Sequence, residues 1–252
     1  MLQAEIITIG DELLIGQVVD TNSAFMAQRL NEWGISVYQI TSVHDDKAHI
    51  LQALGDAERH ADVILLTGGL GPTKDDITKN VLCEYFGTEL EYREDIRKHI
   101  ETLYAARPEV LNRLTDSQCL FPKAAEMITN PHGSAQVMVF RKGKKVFISM
   151  PGVPREMKEV MEGGVRELLT RENNGTITHR TITVSGIPES ALAIEIEDWE
   201  NALPENIKLA YLPHPEDHTI RLRLSGYDVA AEAVDKEMEK LKGLVKKYLK
   251  EE

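Results

Sequence analysis

The chain has 252 residues, of which 42% are hydrophobic and 28% are charged, and this ordinary balance excludes a long disordered or fibrous stretch. The net charge of -12 argues against a protein whose affinity comes from neutralising the phosphates of nucleic acid. The first residues lack the positive charge of a secretory signal, and no apolar run approaches the roughly 20 residues of a membrane span, so we expect a cytoplasmic protein without a membrane partner.

The first third of the chain alternates predicted strands and helices. Three short apolar runs that end at turn-forming residues are predicted as strands: residues 4–9, 35–43 and 62–67. Two helices are predicted between them, over residues 20–34 and 45–59. Asp45 is interpreted as a cap of the second helix, because its position before that helix explains it. The βαβαβ order predicts a parallel sheet.

The middle of the chain begins with a glycine-rich turn, residues 68–76, which is followed by a predicted helix that Gly87 stops. Residues 91–114 favour a helix that is interrupted at Pro108. Two apolar runs around the basic turn 141–145 predict a β-hairpin, and the turn 151–154 leads into a helix that ends near residue 169.

The last third is predicted as a second, smaller domain. Polar turn formers at residues 172–175 indicate a linker, so we place one domain at 1–172 and the other at 176–252. Beyond the linker the order is βαββα, with a final helix from residue 229 to the end. The predicted fold is therefore an α/β domain in three layers around a parallel or mixed sheet, followed by a small α+β domain.

The glycine-rich turn carries the strongest chemical signal. Glycines between a strand and a helix allow backbone N–H groups to face a ligand, and the helix N-terminus adds a positive dipole end, which together favour phosphate. The turn matches neither a Walker A loop nor a GxGxxG fingerprint. The alternative is a tight connection in which Asp75 or Asp76 caps the helix. Because one acid suffices for a cap, the other is free to hold a metal ion.

The loop after the first strand carries further acids. In a parallel sheet this loop shares the carboxyl edge with the glycine-rich turn, which can bring Asp20 and Asp76 together. The alternative is that Asp20 only caps its helix. His132, in the turn 130–134, is a phosphate contact, a general acid or base, or a solvated loop histidine, and the last is the favoured interpretation. No serine elbow, HExxH motif or cysteine nucleophile is present, so hydrolysis would depend on a metal ion.

Four motifs in chain order resemble the competence/damage-inducible protein CinA family: residues 9–16, 20–22, 67–78 and 150–157. The broader superfamily contains molybdopterin-binding proteins of the MogA, MoaB and MoeA type. Residues 178–250 resemble the KH-like domain that follows in CinA proteins. The chain departs from the family at residues 133–137, where a Gly-Thr-Ala-Pro-Gly-like stretch is usual.

The resemblance implies an ADP-ribose pyrophosphatase that uses a divalent metal ion (magnesium, manganese or cobalt), produces AMP and ribose 5-phosphate, and forms a homodimer. The residues expected to act in catalysis and metal binding are Asp20, Asp75 and Asp76. The residues expected to contact the nucleotide-like substrate are Gly10, Glu12, Asn22, Gly68, Gly69, Leu70, Gly71, Pro72, Thr73, Thr78, Ser134, Gly152 and Pro154.

Two other functions remain open. One is a pterin-phosphate-binding or adenylyl-transferring enzyme of molybdenum cofactor biosynthesis, and the other is a non-enzymatic nucleotide-binding module. CinA proteins usually add a nicotinamide-mononucleotide deamidase domain, before which this chain ends, so we expect no deamidase activity. The KH-like region has no Gly-x-x-Gly loop, and we interpret it as a structural or dimerisation module that does not bind nucleic acid.

Overall fold

The computed structural model describes residues 1–250, except the side chains of residues 113 and 114. The chain divides into two compact units, Leu2–Asn174 and a second unit that begins at Gly175 and includes Met1. No helix in the described part of the chain is long and apolar enough to cross a membrane.

The first unit is built around a mixed sheet of six strands in the order β2-β1-β3-β8-β7-β6. The strands of this unit are β1 (Gln3–Ile9), β2 (Ser36–Val43), β3 (Val63–Thr67), β4 (Leu90–Tyr92), β5 (Leu120–Pro122), β6 (Glu126–Ile128), β7 (Val137–Lys142) and β8 (Lys145–Met150). Strands β2, β1, β3 and β8 are parallel to one another, whereas β7 is antiparallel to both of its neighbours, β8 and β6. The predicted mixed α/β sheet and the predicted β7–β8 hairpin are confirmed.

Helices cover both faces of this sheet. They are α1 (Asp11–Leu14), α2 (Thr21–Glu32), α3 (Lys47–His60), α4 (Thr78–Phe86), α5 (Glu94–Leu103), α6 (Arg113–Ser117), α7 (Pro154–Val160) and α8 (Arg166–Glu172). Successive side chains of a strand point to opposite faces, so Ile7 and Ile9 pack with α3 and α4 while Ala4 and Ile6 pack with α2 and α7. Strand β3 is buried along its whole length, which explains its unbroken apolar sequence.

Two segments differ from the sequence-based expectation. In the predicted helical region 91–114, α5 and the break at Pro108, where a short 3-10 turn covers Pro108–Val110, are confirmed. The region begins, however, with β4, which pairs antiparallel with β5. Pairing between segments distant in the chain overrides the local helix preference here. The helix predicted after residue 154 is interrupted between α7 and α8 by a π-helical turn, where Gly163 leaves helical geometry. A Cβ at Gly164 would lie 2.5 Å from Cγ2 of Ile128, so this turn packs against β6.

The second unit has the predicted βαββα order. Its elements are β9 (Ile177–Ser185), α9 (Glu189–Asn201), β10 (Ile207–His214), β11 (Thr219–Tyr227) and α10 (Ala231–Leu244). The sheet order is β10-β11-β9, and β11 is antiparallel to both neighbours. The helix predicted to run to the chain end stops at Leu244 and is followed by a 3-10 turn at Lys246–Tyr248, and residues 251 and 252 lie outside the described residues.

Candidate functional site

A cleft of about 420 Å³ opens at the carboxyl ends of β1, β3 and β8. Ligands of open parallel sheets bind at this edge, and the cleft volume falls within the range of small-molecule sites, roughly 300–1,000 Å³. Twelve of the predicted site residues line the cleft: Gly10, Glu12, Asp20, Asn22, Gly68, Gly69, Leu70, Gly71, Asp75, Asp76, Gly152 and Pro154.

The glycine-rich turn forms one wall of the cleft. Its backbone lies so close to neighbouring residues that two of its positions have no room for a side chain. A Cβ at Gly68 would lie 2.0 Å from the carbonyl oxygen of Ile9, and one at Gly69 would lie 2.1 Å from Oγ1 of Thr78. Gly69 also has a φ of 64°, in the left-handed region that favours glycine. The N–H groups of Gly69, Leu70 and Gly71 have no acceptor within the described part of the chain. They are therefore available to an anionic ligand.

The two aspartates that follow the turn do not cap α4. Ile77 occupies the N-cap position without a side-chain hydrogen bond, so the alternative in which Asp75 or Asp76 caps the helix is wrong. Asp76 instead closes the turn, since its Oδ2 accepts hydrogen bonds from the backbone N–H of Thr73, at 2.9 Å, and from the Thr73 hydroxyl. The N–H of Thr73 is thereby occupied.

The first loop reaches the cleft through Asp20 and Asn22. Oδ1 of Asp20 accepts a hydrogen bond from the backbone N–H of Ser23 at 2.9 Å and so caps α2. The side-chain amide of Asn22 donates to the carbonyl oxygen of Gly152 at 2.8 Å and to Oγ1 of Thr67 at 3.3 Å. Asn22 therefore joins the loop after β1 to the ends of β3 and β8.

Asp45 is placed differently from the sequence-based interpretation. The cap of α3 is Asp46, whose Oδ1 accepts from the backbone N–H of His49 at 2.9 Å. Asp45 instead turns into the cleft, where its Oδ2 accepts from the backbone N–H of Asp11 at 3.1 Å. Burial and the neighbouring acids, among them Asp11 and Glu12, raise the pKa of Asp45. The interpretation of Asp45 as the helix cap is wrong.

The cleft is strongly acidic. Five carboxylates line it, and no Lys or Arg is among its described lining residues: the acids are Glu12, Asp20, Asp45, Asp75 and Asp76. Within residues 1–250, no three His, Cys, Asp or Glu side chains form a preassembled metal site. The oxygen donors nevertheless fit a hard divalent cation such as Mg²⁺, which is commonly held by one or two carboxylates together with substrate phosphate and water.

Four predicted contact residues do not line the cleft: Pro72, Thr73, Thr78 and Ser134. The first two belong to the glycine-rich turn, and Thr78 packs beneath it, with its N–H donating to the carbonyl oxygen of Gly69 at 3.2 Å. The carbonyl oxygen of Ser134 accepts from Nε2 of Gln136 at 3.3 Å. Nε2 of His132 contacts Oε2 of Glu159, and His132 does not line the cleft.

Comparison with known proteins follows the two units. Residues 5–171 match the family model "Probable molybdopterin binding domain", and residues 179–252 match "Damage-inducible protein CinA KH domain". The chain is 46% identical over 231 residues to a CinA-like protein of Flavobacterium psychrophilum, covering 90% of this chain and 55% of that protein. The chain belongs to the CinA-like family.

Two further CinA-like relatives agree. A CinA-like protein of Cytophaga hutchinsonii is 45% identical over 226 residues, covering 89% of this chain and 54% of the relative. The crystal structure of a CinA protein with unknown function from Thermoplasma acidophilum is 32% identical with a TM-score of 0.61, covering 66% of this chain and 97% of that chain. The chain spans about half the length of the curated CinA-like proteins it matches.

The CinA-like cleft contains one acid that the sequence-based site omits. Two adjacent aspartates precede α3, and an aspartate at either position is able to cap the helix. The residue type therefore does not decide between Asp45 and Asp46. A pair of acids at one cap position is itself a usable signal, because a helix needs only one of them. The same reasoning singled out Asp75 and Asp76, which line the cleft although neither of them caps α4.

Proposed function

We propose that this CinA-like chain hydrolyses the diphosphate bond of ADP-ribose to AMP and ribose 5-phosphate and that the reaction requires a divalent cation. The observation that carries the proposal is the pairing of unoccupied backbone N–H donors with carboxylates in one cleft. The N–H groups of Gly69, Leu70 and Gly71 suit phosphate oxygens, whereas the five acids repel them. A diphosphate is therefore expected to enter this cleft only together with a cation.

The proposed roles follow from where each group lies. The turn 69–71 would hold phosphate oxygens, and one or two of the carboxylates of Asp20, Asp75 and Asp76 would hold the cation together with substrate phosphate and water. When bound, the cation supplies positive charge against the diphosphate and Lewis acidity toward the reacting groups. Asp45 would accept the proton of the attacking water, because its carboxylate lies beside the glycine-rich turn, where a Cβ at Gly69 would be 3.4 Å from its Oδ1.

The reaction balances without a redox partner. The oxygen of one water molecule bonds to one phosphorus, the bridging P–O bond breaks, and the two products are phosphate monoesters. The described cleft lining has no serine, cysteine or histidine, and because its carboxylates are assigned here to the cation and to proton transfer, we propose direct attack by water rather than a covalent intermediate.

A substrate screen tests this proposal. ADP-ribose, other nucleoside diphosphate sugars and nucleoside triphosphates are incubated with the chain and with Mg²⁺, Mn²⁺ or Co²⁺, and the products are separated and identified. We expect AMP and ribose 5-phosphate from ADP-ribose, and no turnover after chelation of the metal. Stable ADP-ribose under every metal condition would refute the proposal.

A second candidate is supported by the match of residues 5–171 to a probable molybdopterin-binding domain. In that case the cleft binds a pterin phosphate, alone or as the acceptor of an adenylyl group. Calorimetry with a pterin phosphate and with AMP separates the two functions. Turnover that releases pyrophosphate from ATP would favour adenylyl transfer, whereas binding without any turnover would favour a nucleotide-binding module.

A further inference from the structure

The mouth of the cleft is bordered by exposed aliphatic side chains. Val18, Val19 and Val153 line the cleft and remain 50%, 80% and 54% exposed, and the neighbouring Leu14 and Ile15 are exposed as well. A single exposed apolar residue needs no explanation, but several together at the opening of a cleft indicate a contact surface. We call Val18, Val19 and Val153 the aliphatic rim.

The backbone holds the aliphatic rim in place. The N–H groups of Gln17 and Val18 both donate to the carbonyl oxygen of Glu12, at 2.9 and 3.2 Å, and Val19 is followed directly by the Asp20 cap of α2. Val153 is the N-cap residue of α7, with Pro154 at the first helical position. These constraints fix the backbone that carries the three side chains before any ligand arrives, which lowers the entropic cost of contact.

The rim and the interior of the cleft differ in chemistry. The interior presents carboxylates and the unoccupied backbone N–H groups of residues 69–71, whereas the rim side chains have no hydrogen-bonding atoms. A ligand that suits both needs a charged phosphate part and a flat apolar part. We infer that the aliphatic rim holds the faces of the substrate's nucleobase without reading its edge, an inference that rests on the proposed function.

This arrangement has a consequence for the substrate class. Discrimination between purines depends on hydrogen bonds to their edges, which aliphatic side chains do not make. The chain is therefore expected to hydrolyse nucleoside diphosphate riboses with different bases, while a diphosphate ester without a base binds poorly. We expect kcat/KM for ADP-ribose and GDP-ribose to agree within about tenfold. A preference of a hundredfold or more would contradict the inference.

A pair of substrates tests the rim directly. Val19→Thr and Val153→Thr, combined in one variant, keep the branched shape and replace one methyl group with a hydroxyl at each position. Loss of a covered methyl-sized group weakens binding about fourfold, so the loss of two weakens it about fifteenfold. Because the two fourfold losses multiply, we expect the ratio of the KM for ADP-ribose to the KM for P1,P2-di(5-ribosyl) diphosphate, which lacks only the base, to rise about fifteenfold in this variant.

The matched control is Ile194→Thr, since Ile194 is 75% exposed on α9 and does not line the cleft. Its KM ratio should remain that of the wild type. Equal changes for both substrates, or none, in the rim variant would overturn the inference. So would a change in the oligomeric state by light scattering with an unchanged KM ratio, because the rim would then be a protein interface.

A binding experiment separates this inference from the proposed function. If no diphosphate is hydrolysed, calorimetry compares AMP with ribose 5-phosphate, which differ by the base alone. Weaker binding of AMP, but not of ribose 5-phosphate, to the rim variant would support the rim as a base site even then. AMP that does not bind, or that binds the rim variant and the wild type equally, would overturn it.

Discussion

The glycine-rich turn offers a quantitative test through Gly69→Ala. Two costs add at this position. A φ of 64° costs a non-glycine residue about 1–2 kcal/mol, and a Cβ placed 2.1 Å from Oγ1 of Thr78 forces overpacking worth about 1–3 kcal/mol. We therefore expect the free energy of unfolding of the first unit to fall by roughly 2–5 kcal/mol.

Two further variants separate these costs. Gly87→Ala has nearly the same φ, 62°, but no atom within 4 Å of its added Cβ, so it should show the backbone cost alone, about 1–2 kcal/mol. In Gly69→Ala combined with Thr78→Ala, the Thr78 oxygen is gone and most of the steric cost should be recovered. The Thr78 hydroxyl is buried without a hydrogen-bond partner among the described residues, so its removal breaks no hydrogen bond.

Urea unfolding followed by tryptophan fluorescence measures these differences. The chain has two tryptophans, Trp33 in the first unit and Trp199 in the second, so a Trp199→Phe background makes the signal report on the first unit. Midpoints are compared at constant slope. If Gly69→Ala costs no more than Gly87→Ala, or if Thr78→Ala recovers nothing, the close packing of the turn on Thr78 is refuted.

Three other outcomes are expected. Asp76→Asn should lower metal-dependent turnover at least about a hundredfold without unfolding the chain. The control Asp56→Asn, outside the cleft lining, should leave turnover unchanged, and equal activity in the two variants would reduce Asp76 to a turn-closing residue. Asp45→Asn should stabilise the fold at pH 7 by a few tenths to about 1 kcal/mol. The pKa of Asp45 is higher in the folded state than in the unfolded state, so ionisation of Asp45 destabilises the fold as the pH rises through that pKa. The gain should vanish near pH 3, where the carboxyl is protonated in both states, and thermal melts at both pH values measure it. Labelled single-stranded RNA should not bind at about physiological ionic strength, and salt-sensitive binding tighter than micromolar would contradict this expectation.

The sequence predicted those parts of the fold that local patterns determine. Apolar runs and turn formers located β1, β2 and β3. The glycine-rich turn is predictable between a strand and a helix because Gly and Pro are the strongest local signals for a turn. The ribbon of β4 and β5 was missed, since three-residue strands show no periodicity and owe their existence to a partner far along the chain.

The candidate site was predicted in outline but not in its details. The shared carboxyl edge brought Asp20 and Asp76 into one cleft, as the parallel order implied. The role of Asp45 depends on which of two adjacent aspartates faces α3, and this is decided by the backbone direction at the end of β2. The exposure of Val18 and Val19 was equally hidden, because valine in a sequence suggests a core position.

The contacts between the glycine-rich turn and the turn after β8 determine when the cleft can form during synthesis of the chain. A Cβ at Gly152 would lie 3.2 Å from Cα of Gly68, and the Thr67 hydroxyl donates to the carbonyl oxygen of Pro151, 84 residues further along the chain. A nascent chain that has emerged only as far as α4 therefore has its glycine-rich turn but lacks the strand against which that turn rests. The ligand cannot assist the folding of such an N-terminal fragment, and the cleft first exists when β8 and the turn after it have left the ribosome.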